Sequence, residues 1–301
     1  VLAVSIFSDF QVGFALGEGG NVIGAGRGTT FYITSDATLW GLGDNEFAQV
    51  GNGKKENEIL QPVMVLKDVS NVASGSTVTF ALKNDHTLWG WGFDLRLFND
   101  NYATSPEKLM DDVQMVVTNA SNQVYVIKTD GTLLTKGANS NLDSIKKEAT
   151  DEWVQVPGSG KVKYVFSSSN TFYINEEDEL WGWGTNTNGS LGVGQEDVVY
   201  DAPVKIMDDV QSVTGSNNNT MIIRKDGSLW MCGRGNNGDF YDGNKIIKSD
   251  TSAGFVNVPV KIMENILQAA VGSNDFYVVK RDYTLWGWGD NRKKIINPSS
   301  P

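Results

Sequence analysis

One phrase occurs six times along the 301 residues: an apolar pair, in most copies Leu-Trp, followed by three residues that end in Gly. The copies are Leu39-Trp40-Gly41-Leu42-Gly43, Leu88-Trp89-Gly90-Trp91-Gly92, Leu133-Leu134-Thr135-Lys136-Gly137, Leu180-Trp181-Gly182-Trp183-Gly184, Leu229-Trp230-Met231-Cys232-Gly233 and Leu285-Trp286-Gly287-Trp288-Gly289. From Leu to Leu the steps are 49, 45, 47, 49 and 56 residues. A period of this size means that one supersecondary unit is used repeatedly, each copy burying a face against the next. Residues that recur at a fixed slot are therefore structural first.

Residues 61–92 show the unit. Pro62-Val63-Met64-Val65 follows a proline that can start an edge strand. Val69–Gly75, Phe80-Ala81-Leu82 and Leu88–Gly92 are further short apolar runs, bounded by Asn, Asp, Gly and Ser. The register holds in every copy. Eight residues before the anchoring Leu stand Phe31, Phe80, Tyr125, Phe172, Met221 and Tyr277; three before it stand Asp36, Asp85, Asp130, Glu177, Asp226 and Asp282. Asp-Gly at 130–131 and 226–227 is a hairpin-turn signal. Units of about 50 residues with four strands and no helical period are propeller blades. The expected fold is all-β: a β-propeller of about six four-stranded blades in a single domain, 1–301. The Leu-Trp tryptophans are expected in the core between blades, with the second Trp of a pair (Trp91, Trp183, Trp288) one strand face away and part-exposed. The last unit stops after Asp290-Asn291, so the N-terminal segment 1–11, through Val1–Ile6, is expected to supply its outer strand.

Net charge is −11 and the pI about 4.6. So acidic a surface repels phosphate backbones and anionic lipid, which argues against nucleic-acid partners and membrane insertion. The nearest thing to a basic patch is Arg292-Lys293-Lys294. No run of 18 apolar residues is present. Val1–Phe7 is too short to span and lacks a basic n-region. A start at Val rather than Met suggests that something upstream was removed. One cysteine, Cys232, excludes an internal disulfide.

Catalysis finds little support. The single histidine, His86, stands in a turn slot that is Gly131 or Gly227 elsewhere, without a partner for acid–base work. Cys232 stands in the slot of Trp91, Trp183 and Trp288, as packing filler. The turn carboxylates recur in all six units, whereas a catalytic pair needs two special residues. Asp111-Asp112 and Asp208-Asp209 also repeat one another, and no loop has the alternating ligand order of a calcium site. The expectation is a non-enzyme with no cofactor and no metal.

The repeats resemble the regulator of chromosome condensation repeat family. There a Trp-Gly strand leads through a Gly-rich Asp-Asn loop to a Pro-Val strand and a Val-Ala-Gly segment. Here the loop reads Gly43-Asp44-Asn45-Glu46-Phe47-Ala48-Gln49-Val50-Gly51 and Gly184-Thr185-Asn186-Thr187-Asn188-Gly189-Ser190-Leu191-Gly192. The resemblance spans about residues 12–291. It implies a propeller, usually of seven blades; this chain has material for six. The family's His-Thr slots read Thr29-Thr30, Val78-Thr79, Asn170-Thr171 and Asn219-Thr220 here. The motif of the plant photoreceptor members and the wedge of the GTPase exchange factors are absent. The Leu-Trp-Gly-Trp-Gly wording is similar to the bacterial, often extracellular, branch, which implies a cell-surface or secreted setting.

By analogy with the partner-facing slots of the photoreceptor members, the polar stretch between the first and second strands forms a ring on one face. Its candidate binding residues are Arg27, Thr29, Ser76, Thr77, Ser121, Asn122, Gln123, Ser169, Asn170, Asn217, Asn218, Asn219, Asn274 and Asp275. Such mostly uncharged donors and acceptors suit a peptide backbone, a polar protein surface or a carbohydrate. The expected function is a monomeric, non-enzymatic scaffold that binds a protein partner through this face. Glycan or small polar ligand recognition on the same face is the alternative, and exchange-factor activity a weaker one. Turn chemistry alone also accounts for Ser and Asn at these positions.

Overall fold

The computed structural model describes residues 23–94, 98, 102–136, 152–195, 198–216, 218–234, 254–272 and 275–289. They form six antiparallel sheets, each taken up in chain order. The first holds β1 (Ile23–Ala25), β2 (Thr29–Ile33), β3 (Leu39–Asp44) and β4 (Glu58–Leu66). The second holds β5 (Val69–Ser74), β6 (Val78–Lys83), β7 (Leu88–Phe93) and β8 (Tyr102–Met110). The third holds β9 (Val113–Thr118), β10 (Val124–Lys128), β11 (Leu133–Lys136) and the short β12 (Val154–Gln155). The fourth holds β13 (Val162–Ser167), β14 (Thr171–Asn175), β15 (Leu180–Thr185) and β16 (Val199–Met207). The fifth holds β17 (Val210–Gly215), β18 (Asn219–Arg224), β19 (Leu229–Arg234) and β20 (Phe255–Met263). The sixth shows three strands, β21 (Ile266–Val271), β22 (Asp275–Lys280) and β23 (Leu285–Gly289). This is the all-β blade architecture that the period predicts. Closure of the last blade by residues 1–11 lies outside the described residues. Contacts divide the chain into two compact units, 23–162 and 163–289 among the described residues; the first holds sheets one to three, and the second holds the fourth sheet from its second residue onward with the fifth and sixth. In the first unit β1 packs on β5 and β5 on β9; in the second, β17 packs on β21.

The repeated phrase has a packing cause. In sheets one to five the anchoring Leu is fully buried. The Gly two residues later faces the aromatic slot of the neighbouring strand: Phe31 opposite Gly41, Phe80 opposite Gly90, Phe172 opposite Gly182. A Cβ on Gly41 would stand 2.7 Å from the Phe31 ring, and one on Gly182 would stand 2.8 Å from the Phe172 ring. The ring occupies the space that the glycine leaves. Where the glycine is missing the ring changes with it. Met231 faces Met221, and Thr135 faces Tyr125.

The tryptophans reverse the sequence expectation. The second Trp is the core residue: Trp91 and Trp183 are almost wholly buried, and Trp288 nearly so. The first Trp (Trp40, Trp89, Trp181, Trp230) is half-buried, and Trp286 is exposed. Residues two apart share a strand face, so position along the strand decides the matter. Trp91 lies under the Gly-rich loop of the preceding sheet; its Nε1 donates to Gln49 O at 2.8 Å, and Gly51 leaves room for its ring. Trp89 lies at the other end, where Nε1 donates to Thr87 Oγ1 and Lys83 Nζ stands 5.7 Å from its ring centroid. Cys232 is the filler expected of it. It is buried in the Trp91 slot with Sγ 3.7 Å from Ser190 O, and burial pushes its thiol up to about 12.

Pro62 does not start its strand but sits in the middle of β4. There the sheet edge needs no N–H from it, and the ladder to β3 is already irregular between Gly41 and Gly43.

The turns between second and third strands explain the repeated Asp. Asp85 Oδ1 accepts from Thr87 N and Oγ1, Asp226 Oδ1 from Ser228 N and Oγ, and Asp282 Oδ1 from Thr284 N and Oγ1. The next residue is left-handed: Ala37 φ 61°, His86 φ 63°, Gly131 φ 86°, Gly227 φ 84°, Tyr283 φ 64°. Its carbonyl reaches onward to the following sheet. Val69 N donates to Ala37 O, Val113 N to His86 O, Val162 N to Gly131 O and Ile266 N to Gly227 O. In return Asn84 N donates to Asp68 O, Thr129 N to Asp112 O and Lys225 N to Asp209 O. Asp111-Asp112 and Asp208-Asp209 are thus turn residues that fasten consecutive sheets at this end.

Candidate functional site

The hairpins between first and second strands lie at the opposite end of each sheet, and they carry the candidate residues. In the first unit three of these turns are joined. Arg27 N donates to Gly75 O at 3.4 Å. Ser76 N and Thr77 N both donate to Asn122 Oδ1, at 2.9 and 3.2 Å. Asn122 Nδ2 donates to Thr77 Oγ1 at 2.7 Å, and Ser76 Oγ donates to Ala120 O at 2.5 Å. Asn122 is left-handed, φ 58°, a conformation its short amide tolerates. Asn119 shapes the third turn. Its Oδ1 accepts from Ser121 N and Gln123 N, and its Nδ2 donates to Gln123 Oε1. Nothing in the polar run marked Asn119, because it belongs to the preceding slot, which is Gly75 in the sheet before.

Burial sorts the candidates. Arg27, Ser121 and Ser169 are exposed; Ser76, Thr77, Asn122, Asn218 and Asp275 are half-buried. Thr29, Gln123, Asn170 and Asn219 are buried. Thr29 Oγ1 lies 3.3 Å from Ser74 Oγ, and Asn170 Nδ2 donates to Ser190 Oγ at 3.1 Å. In the second unit Asn188 Nδ2 donates to Asn218 Oδ1 at 3.1 Å, so a Gly-rich loop rather than a turn holds that residue. Asn217 and Asn274 lie outside the described residues.

A second set of bonds joins the Gly-rich loops to the following sheet. Gln49 O accepts from Thr79 Oγ1 and Trp91 Nε1; Ser190 O accepts from Thr220 Oγ1 and lies beside Cys232 Sγ. Each loop is itself closed by an asparagine. Asn45 Oδ1 accepts from Val50 N, and Asn186 Oδ1 from Leu191 N.

The five recurring Asp residues are occupied as turn caps, whereas in the turn that carries Glu177 the cap is Asn175, whose Oδ1 accepts from Glu179 N. Asp36, Asp85, Asp226 and Asp282 are held below the usual range first by neighbouring Thr or Ser hydroxyls, and Asp130 first by the Thr132 N–H. Glu179 falls to about 2, because Lys205, then Asn175 and Trp181, donate to it. Such groups are anions at neutral pH and suit capping rather than proton donation. Among the described residues no group of three or more His, Cys, Asp or Glu could hold a metal ion. Among them, too, no helix is long and apolar enough to cross a membrane.

Residues 177–223 match the family model described as the regulator of chromosome condensation (RCC1) repeat. No curated protein matches the chain. Among solved structures, Prp20p from Saccharomyces cerevisiae is similar with a TM-score of 0.75 at 16% identity, over 93% of this chain and 74% of that one; its report concerns binding to Gsp1p and histones. Yeast RCC1 (Prp20) bound to Kap60 gives 0.70 at 17% identity, over 90% and 70% of the two chains. Human WBSCR16 gives 0.72 at 16%, over 90% and 77%. Residues 177–223 carry an RCC1 repeat, and the chain has the β-propeller fold of these structures.

Proposed function

We propose that this chain is a non-enzymatic scaffold that binds a protein partner through the sheet ends carrying the first hairpins. The observation that carries the reading is the hydrogen-bonded join from Arg27 through Gly75, Ser76 and Thr77 to Ala120 and Asn122. Turns tied together before a partner arrives lose little freedom on binding, so a polar surface can bind without a large apolar area. The similar structures named above include proteins that bind other proteins, Kap60, Gsp1p and histones. The acidic balance directs the surface away from nucleic acid, and a bacterial surface or secreted setting accords with the wording of the repeats.

The test places a photo-crosslinking residue at Ser121 and, as a control, at Asp130, both exposed and at opposite ends of the third sheet. Protein adducts are expected from position 121 and not from 130. The purified partner should lose about tenfold in affinity for the S76A/N122G double variant. Adducts from position 130 alone, or unchanged affinity, would overturn the reading. A glycan array on the same proteins separates the carbohydrate alternative, and a nucleotide-release assay the exchange-factor one.

A further inference from the structure

In four of the sheets the last residue of the third strand faces the first residue of the fourth at the hairpin end, and this pair differs from sheet to sheet. It is Asp44 with Glu58, Phe93 with Tyr102, Thr185 with Val199, and Arg234 with Phe255. Recurrent slots serve the fold; a surface slot that changes at every repeat is released from it. In the second sheet the pair is aromatic, with ring centroids 4.7 Å apart. Phe47, from the Gly-rich loop of the first sheet, adds a third ring at 5.8 Å from Phe93. The equivalent of Phe47 in the fourth sheet is Asn188. All three rings are half-buried. The strip is continuous with the joined turns, since Phe93 N donates to Thr77 O and Thr77 Oγ1 donates to Phe93 O.

Charge says what the strip suits. The loop that carries Phe47 is bounded by Asp44 and Glu58, two carboxylates directly opposed across the strands, an arrangement that disfavours the sheet. Among the described residues neither has a cationic partner, and Asp44 Oδ1 accepts from Glu46 N, next to Phe47. The chain as a whole carries −11. A cation already rests on one of the rings: Lys55 Nζ stands 4.4 Å from the Tyr102 centroid and 3.0 Å from its hydroxyl. Aromatic faces on a loop and strand end that also carry carboxylates without a cationic partner suit guanidinium, which stacks on a ring and donates to an acid.

We propose that Phe47, Phe93 and Tyr102, with Asp44 and Glu58, form the anchor site for an arginine of an extended segment in the partner protein. This rests on the reading of the hairpin end as the docking face and names the chemistry of what docks there. The aromatic rings supply the desolvated anchor, and the joined turns supply the polar rim.

The test selects a random dodecapeptide phage library on the full chain and, in parallel, on the F47N/F93T variant. Both substitutions install the residues found at the same slots of the fourth sheet, and circular dichroism checks that the variant folds. Arginine-rich peptides should be enriched on the chain and not on the variant. A selected peptide, made synthetically, should bind the D44N/E58Q variant about tenfold more weakly and show a flatter salt dependence there. No enrichment of arginine, or enrichment that survives F47N/F93T, overturns the site. Peptides lost with N122G but kept with F47N/F93T leave the docking face standing and remove the arginine anchor. Binding of a neutral oligosaccharide that depends on Phe93 also overturns the proposal and assigns the rings to sugar.

Discussion

Ala37 and Gly131 occupy the same left-handed turn slot, but only glycine enters that region without a Cβ penalty. Ala37→Gly should therefore raise stability by about 1 kcal/mol despite the added freedom of the unfolded chain, read as a shift in the urea midpoint. His86 was legible as a turn residue because aligning the repeats placed it opposite Gly131. Its Nδ1 lies 3.1 Å from Val113 O, a detail that no spacing announces. Glu179 departs from the repeated cap. Its folded pKa of about 2 lies below the ordinary 4.5, so its contribution is present above pH 4.5 and fades as pH falls toward 2. The difference in thermal midpoint between the chain and its E179Q variant should shrink over that window. Cys232 is wholly buried and its thiol is raised, so modification by a disulfide reagent should wait on unfolding and follow its rate. The first and second tryptophans were misjudged from sequence, because strand parity places both on one face. Which of them lies beneath a neighbouring loop depends on contacts that alternation does not encode.

At the scale of the strand pair, the ring and the glycine opposite it act as one part. Gly90→Met alone should cost more than about 2 kcal/mol, since the Phe80 ring and Leu109 border the space. Adding Phe80→Met, which copies Met221 with Met231, should restore at least half of that loss, a coupling measurable in a double-mutant cycle. Trp91→Phe keeps an aromatic ring but removes the bond to Gln49 O, and should cost about 1 kcal/mol. Gly92 tests the backbone itself. At φ 107° a Cβ would overlap the Thr77 carbonyl. The strands and most turns were legible because each repeat states them again. The hydrogen bonds that join Ser76, Thr77 and Asn122 were not, since they connect different repeats. The Phe93 strip does have a signal in the sequence, an aromatic residue at the slot held elsewhere by Asp44, Thr185 and Arg234.

At the scale of the whole chain, among the described residues an apolar core runs through the first three sheets, and separate clusters lie wholly beyond residue 163. Calorimetry should accordingly resolve more than one component. Phe80→Ala should lower one of them and leave a component that answers to Phe172→Ala. The period made the sheets legible; the division into two units was not, because the repeat treats every junction alike. The Gly-rich loops add a consequence of another kind. The atom that each offers to the following sheet is a main-chain oxygen, of Gln49 in one copy and Ser190 in another. A side chain can be lost by point mutation, but this acceptor cannot. When a gene segment encoding one blade is duplicated, the new copy brings its own connector, and selection can then alter the outer residues of that copy without undoing its attachment.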